Sequence, residues 1–106
     1  MEQRRTRRFQ LSLPLAVTRT GTERVALAGF TKNISSNGVL FTSVAQPDLG
    51  GPIEYIIKLN DNGPQPVSLR CIGKVIRSER MHNGHAEENL AYQTAATLER
   101  YEFVKT

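Results

Sequence analysis

The chain is predicted to be all-β, and three observations carry that expectation. Short segments rich in branched and aromatic residues recur along it, which is strand composition. Clusters of Gly, Asn, Asp and Pro stand between them as turn signals. The length, 106 residues, supplies one domain and one core without disulfide or metal staples. Short strands at this spacing suit a barrel or a sandwich, and six fit a small closed antiparallel barrel.

The elements follow in order. Residues 1–10 show no periodicity and read as a flexible arm. Leu11 to Arg19 alternates in part and reads as a strand interrupted by Pro14, which in a strand points to an edge or a bulge. Thr20-Gly21-Thr22-Glu23 is a turn. Residues 24–34 and 38–43 read as strands around a polar turn, and Pro47 to Pro52 as a loop. Ile53 to Leu59 is a further strand, and Asn60 to Pro66 is dense in turn residues. Residues 67–78 form a long strand pattern with Leu69, Cys71, Val75 and Arg77 on one parity; Gly73 marks a bulge or a close approach. Met81 to Asn89 is a polar loop. Residues 90–98 suit strand or helix by propensity, and their place after a hairpin-like loop favours strand. The tail from Glu99 to Lys105 suits a helical turn or an extended end. No internal repeat or domain boundary stands out, so 1–106 reads as one domain: arm 1–10, barrel 11–98, tail 99–106.

Net charge is +4. Four arginines against Glu2 place +3 of it on the first eight residues. The rest is close to neutral, which argues for a local anion site and against a broad nucleic-acid face. Cys71 is the only cysteine, so no internal disulfide or cysteine-based zinc cluster can form; it reads as a small core or strand residue. No apolar stretch approaches a membrane span, and no apolar segment follows the N-terminal charges as in a secretory signal. A cytoplasmic protein is expected.

Two segments carry chemistry. The first is Arg4-Arg5-Thr6-Arg7-Arg8-Phe9. A guanidinium is planar, permanently charged and matched to phosphate oxygens in a two-pronged geometry. The same fork fits the O6 and N7 edge of guanine, and its face stacks on bases. The competing reading is a solvated basic terminus. The second segment is Asn33-Ile34-Ser35-Ser36-Asn37-Gly38. Its polar side chains can bond nearby backbone, and Gly38 can take a positive φ. Alone it reads as an ordinary tight turn.

Together the two segments resemble the PilZ domain family, which carries an RxxxR element followed by (D/N)xSxxG. Arg4 and Arg8 stand at the first motif's positions with Arg5 as the frequent second arginine; Asn33, Ser35 and Gly38 stand at those of the second. Leu13-Pro14-Leu15 and Gly73 to Arg77 also look like the family, so the resemblance covers essentially the whole chain. It implies a six-stranded, split-barrel type of β-barrel. It also implies a bacterial receptor for cyclic di-GMP, a second messenger with two guanines and two phosphates. By that resemblance Arg4, Arg5 and Arg8 wrap over the ligand, Asn33 and Ser35 contact a guanine edge or a phosphate, and Gly38 lets the backbone come close. Asn33 stands where many members have Asp, and Tyr92 to Ala96 lacks the glycine usual in that strand.

The function expected is binding, not catalysis, with cyclic di-GMP as ligand, no cofactor and a downstream protein partner that the sequence does not identify. Ser35 and Ser36 have no histidine near in sequence, and His82 and His85, beside Glu87 and Glu88, read as exposed loop residues. Two alternatives stand beside this reading: a family-like adaptor that binds no nucleotide, and a small barrel for single-stranded nucleic acid. The adaptors usually lack one motif or the other, and nucleic-acid grooves interleave aromatics with basic residues, whereas only Phe9 adjoins these arginines. No DNA or RNA partner is expected.

Overall fold

The computed structural model describes residues 12–60, 66–81 and 91–105. They form seven strands: β1 (Pro14–Thr20), β2 (Glu23–Ile34), β3 (Gly38–Ser43), β4 (Pro52–Asn60), β5 (Val67–Arg80), β6 (Tyr92–Thr97) and β7 (Arg100–Lys105). No helix occurs among the described residues. All pairings are antiparallel. Neighbours run β4-β1-β2-β3-β6-β5, and β4 pairs with β5 to close the ring. Six strands thus make a closed barrel, which leaves no open edge within the ring.

The predicted strands stand close to their expected bounds. Pro14 opens β1 instead of interrupting it, a position where its missing N–H costs no ladder bond. Residues 90–98, ambiguous by propensity, contain β6. Of the two readings of the tail the extended one holds, and it goes further: β7 is a seventh strand, paired with β5 from Val67↔Lys105 to Ile72↔Arg100. On that edge of β5, β6 occupies the stretch from Val75 to Arg80 and β7 the stretch from Val67 to Ile72.

Inward residues recur with a period of two, as pleated strands require. Leu15 and Val17 come from β1, Val39 and Phe41 from β3, Ile53, Tyr55 and Ile57 from β4, Cys71 and Val75 from β5, and Ala96 from β6. The rings of Phe41 and Tyr55 lie 5.9 Å apart at the centre. The Tyr55 hydroxyl donates to the Thr97 carbonyl at 3.1 Å, which satisfies a group that burial would otherwise penalise. Burial pushes the Cys71 thiol up to about 12, consistent with a core residue.

One predicted parity fails. Arg77 does not share the inward face of Cys71 and Val75; it is exposed. The β5–β6 register shifts between Val75 and Arg77, and such a bulge reverses the alternation beyond it.

β7 is tied to the barrel on its outer face. Arg19 approaches Glu54 at 3.8 Å, Arg70 meets Glu54 at 2.9 Å, and Arg70 reaches Glu102 at 2.8 Å. This ladder crosses β1, β4, β5 and β7. The Arg70 guanidinium, hydrogen-bonded to it, holds the Glu54 carboxyl below the usual carboxylate range. Where β6 gives way to β7, the Thr97 carbonyl lies so close to Gly73 that any Cβ there would collide with it.

Candidate functional site

The β2–β3 hairpin holds the second motif. Asn33 lies near the end of β2, Ser35 to Asn37 make the turn, and Gly38 opens β3. The Ser35 amide donates to the Gly38 carbonyl at 2.9 Å. The Ser35 hydroxyl accepts from the Asn37 and Gly38 amides, each at 3.2 Å, and donates to the Gly38 carbonyl at 3.3 Å. A hydroxyl has one proton and two lone pairs, so all of its capacity goes into the turn. The hairpin tip is fixed in turn to the end of β6, where the Leu98 amide donates to the Asn37 carbonyl at 2.9 Å.

Gly38 does not take the positive φ open to a turn glycine; among the described glycines that conformation occurs at Gly21 and Gly50. A Cβ at Gly38 would instead lie 2.7 Å from the Ala96 carbonyl oxygen. The glycine lets β3 approach β6 closely.

Asn33 faces outward because of a second bulge. Thr31 is 1% exposed and points inward, so strict alternation would turn Asn33 inward too. The β2–β3 register shifts between Thr31 and Asn33 and carries Asn33 to the outer face. There it starts a row across four strands: Asn33 pairs with Leu40, Leu40 with Ala95, and Ala95 with Arg77. Three strand spacings separate the ends of the row, about 14 Å between backbones.

This row lies in a groove of about 290 Å³ lined by Asn33, Ser35, Asn37, Gly38, Val39, Leu40, Ile76, Arg77, Ala95 and Ala96. Its rim is polar at the hairpin, its floor is apolar and small, and Arg77 is its one charged group among the described residues. Among the described residues no carboxylate lines it. The arrangement suits an anionic ligand with flat apolar faces and hydrogen-bonding edges. The Asn33 side chain is half-buried and makes no hydrogen bond among the described residues, so its donor and acceptor are open to a ligand.

The structure therefore brings Asn33, Ser35 and Gly38 into one groove. Arg4, Arg5 and Arg8 lie outside the described residues, as do Gln3, Thr6 and Arg7. So do His82, His85, Glu87 and Glu88; among the described residues no cluster of metal-ligating side chains occurs. A second cavity of about 200 Å³, beside Arg70, Ile72 and Arg100 to Glu102, has its Arg70 and Glu102 committed to the ion ladder. Sequence reasoning missed Leu40, Ile76 and Arg77 as groove residues. The signal available was an apolar-basic pair that fits no core, but strict alternation puts Arg77 on the parity of Leu69, Cys71 and Val75.

The described residues thus form a closed six-stranded barrel with a polar hairpin beside a groove. The sequence model of the PilZ domain matches residues 2–103, and the chain belongs to that family. No curated protein and no solved structure matches it. No helix among the described residues is long and apolar enough to cross a membrane.

Proposed function

We propose that this protein is a cyclic di-GMP receptor that binds the dinucleotide between its N-terminal arginines and the groove beside the β2–β3 hairpin. The observation that carries the reading is the convergence of Asn33, Ser35 and Gly38 in one groove of a PilZ-family barrel. Asn33 offers its carboxamide to a guanine edge. Ser35 acts through the turn it holds, and its backbone neighbours form the groove rim. Arg4, Arg5 and Arg8 supply guanidinium groups to phosphates and bases.

Two features support a contribution from the arm. The groove, about 290 Å³, stands at the bottom of the range of roughly 300–1,000 Å³ for pockets that enclose a ligand by themselves; a cyclic dinucleotide would protrude and need a cover. The chain also enters the barrel beside the groove. The Thr31 amide donates to the Leu13 carbonyl at 2.9 Å, and the Leu13 amide donates to Thr31 Oγ1 at 2.9 Å, two residues from Asn33. From Ser12 back to Arg8 the chain can span at most roughly 14 Å, so the arginine can reach the groove.

Charge-assisted hydrogen bonds contribute about 1.5–3 kcal/mol each, and micromolar affinity requires about 8 kcal/mol. Three or four such contacts with stacking suffice after the ordering of the arm is charged against them. Ordering the arm would remodel the surface around the groove, which a protein partner can read. Nothing in this role calls for a catalytic step.

Isothermal titration with cyclic di-GMP tests the reading. No binding at tens of micromolar ligand would sink it. Arg8→Ala should abolish binding or weaken it severely while the thermal midpoint stays unchanged. An oligonucleotide titrated over a range of salt concentrations separates a nucleic-acid groove, for which a steep slope is expected.

A further inference from the structure

We propose that Arg77 is a ligand-binding residue of this groove, a cation mounted on the barrel wall that contacts a phosphate of the bound cyclic dinucleotide. The inference rests on the dinucleotide-binding reading and adds to it a residue that lies in neither motif.

The first support is backbone geometry. Two bulges flank the groove, one between Thr31 and Asn33 and one between Val75 and Arg77. Each follows an inward residue, Thr31 and Val75 at 1% and 2% exposed. Each turns outward a polar side chain that strict alternation would bury. Both side chains arrive in the same cross-strand row, at its opposite ends. A bulge leaves a residue unpaired in the ladder and is a recurrent device for re-aiming a side chain at a site. At β5 the unpaired residue is Ile76, opposite the gap between Ala96 and Ala95.

The second support is the company Arg77 keeps. Arg19 and Arg70, also on the outer face, are ion-paired with Glu54, and Arg70 with Glu102 as well. Arg77 is exposed, lines the groove and has no ion-pair or hydrogen-bond partner among the described residues. Beside it Ile76 is 64% exposed, a large apolar surface with no core to serve. An apolar patch next to a cation, over a floor of Leu40 and Ala95, matches a ligand whose flat bases adjoin phosphates. A strand-borne arginine is held in place before binding, so little is lost in ordering it.

The test uses the full chain and calorimetry with cyclic di-GMP. Arg77→Ala should weaken binding by about 10- to 100-fold, the range of one charge-assisted contact, with the thermal midpoint unchanged because the side chain supports nothing in the barrel. Arg77→Lys keeps a point charge, which suffices for a phosphate, and should recover most of the loss. Wild-type protein that binds no cyclic di-GMP defeats the receptor reading itself. Wild-type protein that binds, with an Arg77→Ala affinity within twofold of it, overturns the role of Arg77 alone. Equal losses for Ala and Lys overturn the phosphate assignment.

Discussion

Replacing Gly38 by alanine tests the structural account of the motif glycine. The added Cβ would lie 2.7 Å from the Ala96 carbonyl oxygen. The obstacle is backbone, paired on both sides within the barrel, so it cannot swing away as a side-chain end can. Restoring normal contact requires β3 and β6 to separate by roughly half an ångström, and overpacking of this kind costs about 1–3 kcal/mol. Alanine also reduces the freedom of the unfolded chain, which offsets about 0.4–1 kcal/mol. The expected net destabilisation is about 1–2 kcal/mol, a fall of roughly 5–10 °C in Tm for a domain of this size. The same separation would strain the Leu98 amide to Asn37 carbonyl bond, now 2.9 Å, and shift the groove rim, so cyclic di-GMP affinity should fall as well. Thermal unfolding followed by circular dichroism, with calorimetry on the same samples, reads both effects. A Tm equal to or above wild type would refute the close-approach argument. Lost binding at unchanged Tm would place the need for glycine at the ligand and not at β6.

Other perturbations follow from the same geometry. Gly73→Ala drives a Cβ into the Thr97 carbonyl, which also accepts from Tyr55; it should cost about 3 kcal/mol or more, exceeding Gly38→Ala in urea unfolding. Cys71 is fully buried with its thiol pushed up to about 12, so a thiol reagent should modify it only as fast as the barrel opens, and immediate reaction in native buffer would contradict the burial. The Glu54 carboxyl is held low by Arg70, so its contribution is present above the unfolded value, about 4.3, and is lost as pH falls through the folded value. Glu54→Gln should therefore lower stability at pH 7 by about 0.5–1 kcal/mol, allowing for solvent screening. The gap to wild type should close below pH 4, and a gap independent of pH would remove the ion ladder as its cause.

Much of the barrel was legible in the sequence because strands of one small barrel obey a local rule. Leu15 and Val17, Val39 and Phe41, and Ile53, Tyr55 and Ile57 alternate inward, and the turns between them carry residues suited to turns. The polar hairpin was legible as well, since Ser35 and Gly38 act within three residues of each other. The tail was not: Tyr101 and Phe103 are exposed at 61% and 67%, so β7 buries little of its own and is set by pairing with β5, a contact some thirty residues distant.

Composition and motif order by themselves determined an all-β domain, its approximate strands and the sequence spacing between an arginine run and a polar hairpin. Each is a local property, or a spacing readable along the chain. Only the tertiary structure decided what the hairpin faces. Alternation counted along the sequence sends Arg77 to the core, whereas the register with β6 slips one residue and sends it to the groove. Gly38 reads as a turn glycine until β6 is laid beside it. A bulge and a close approach are relations between two strands, and neither strand alone encodes them.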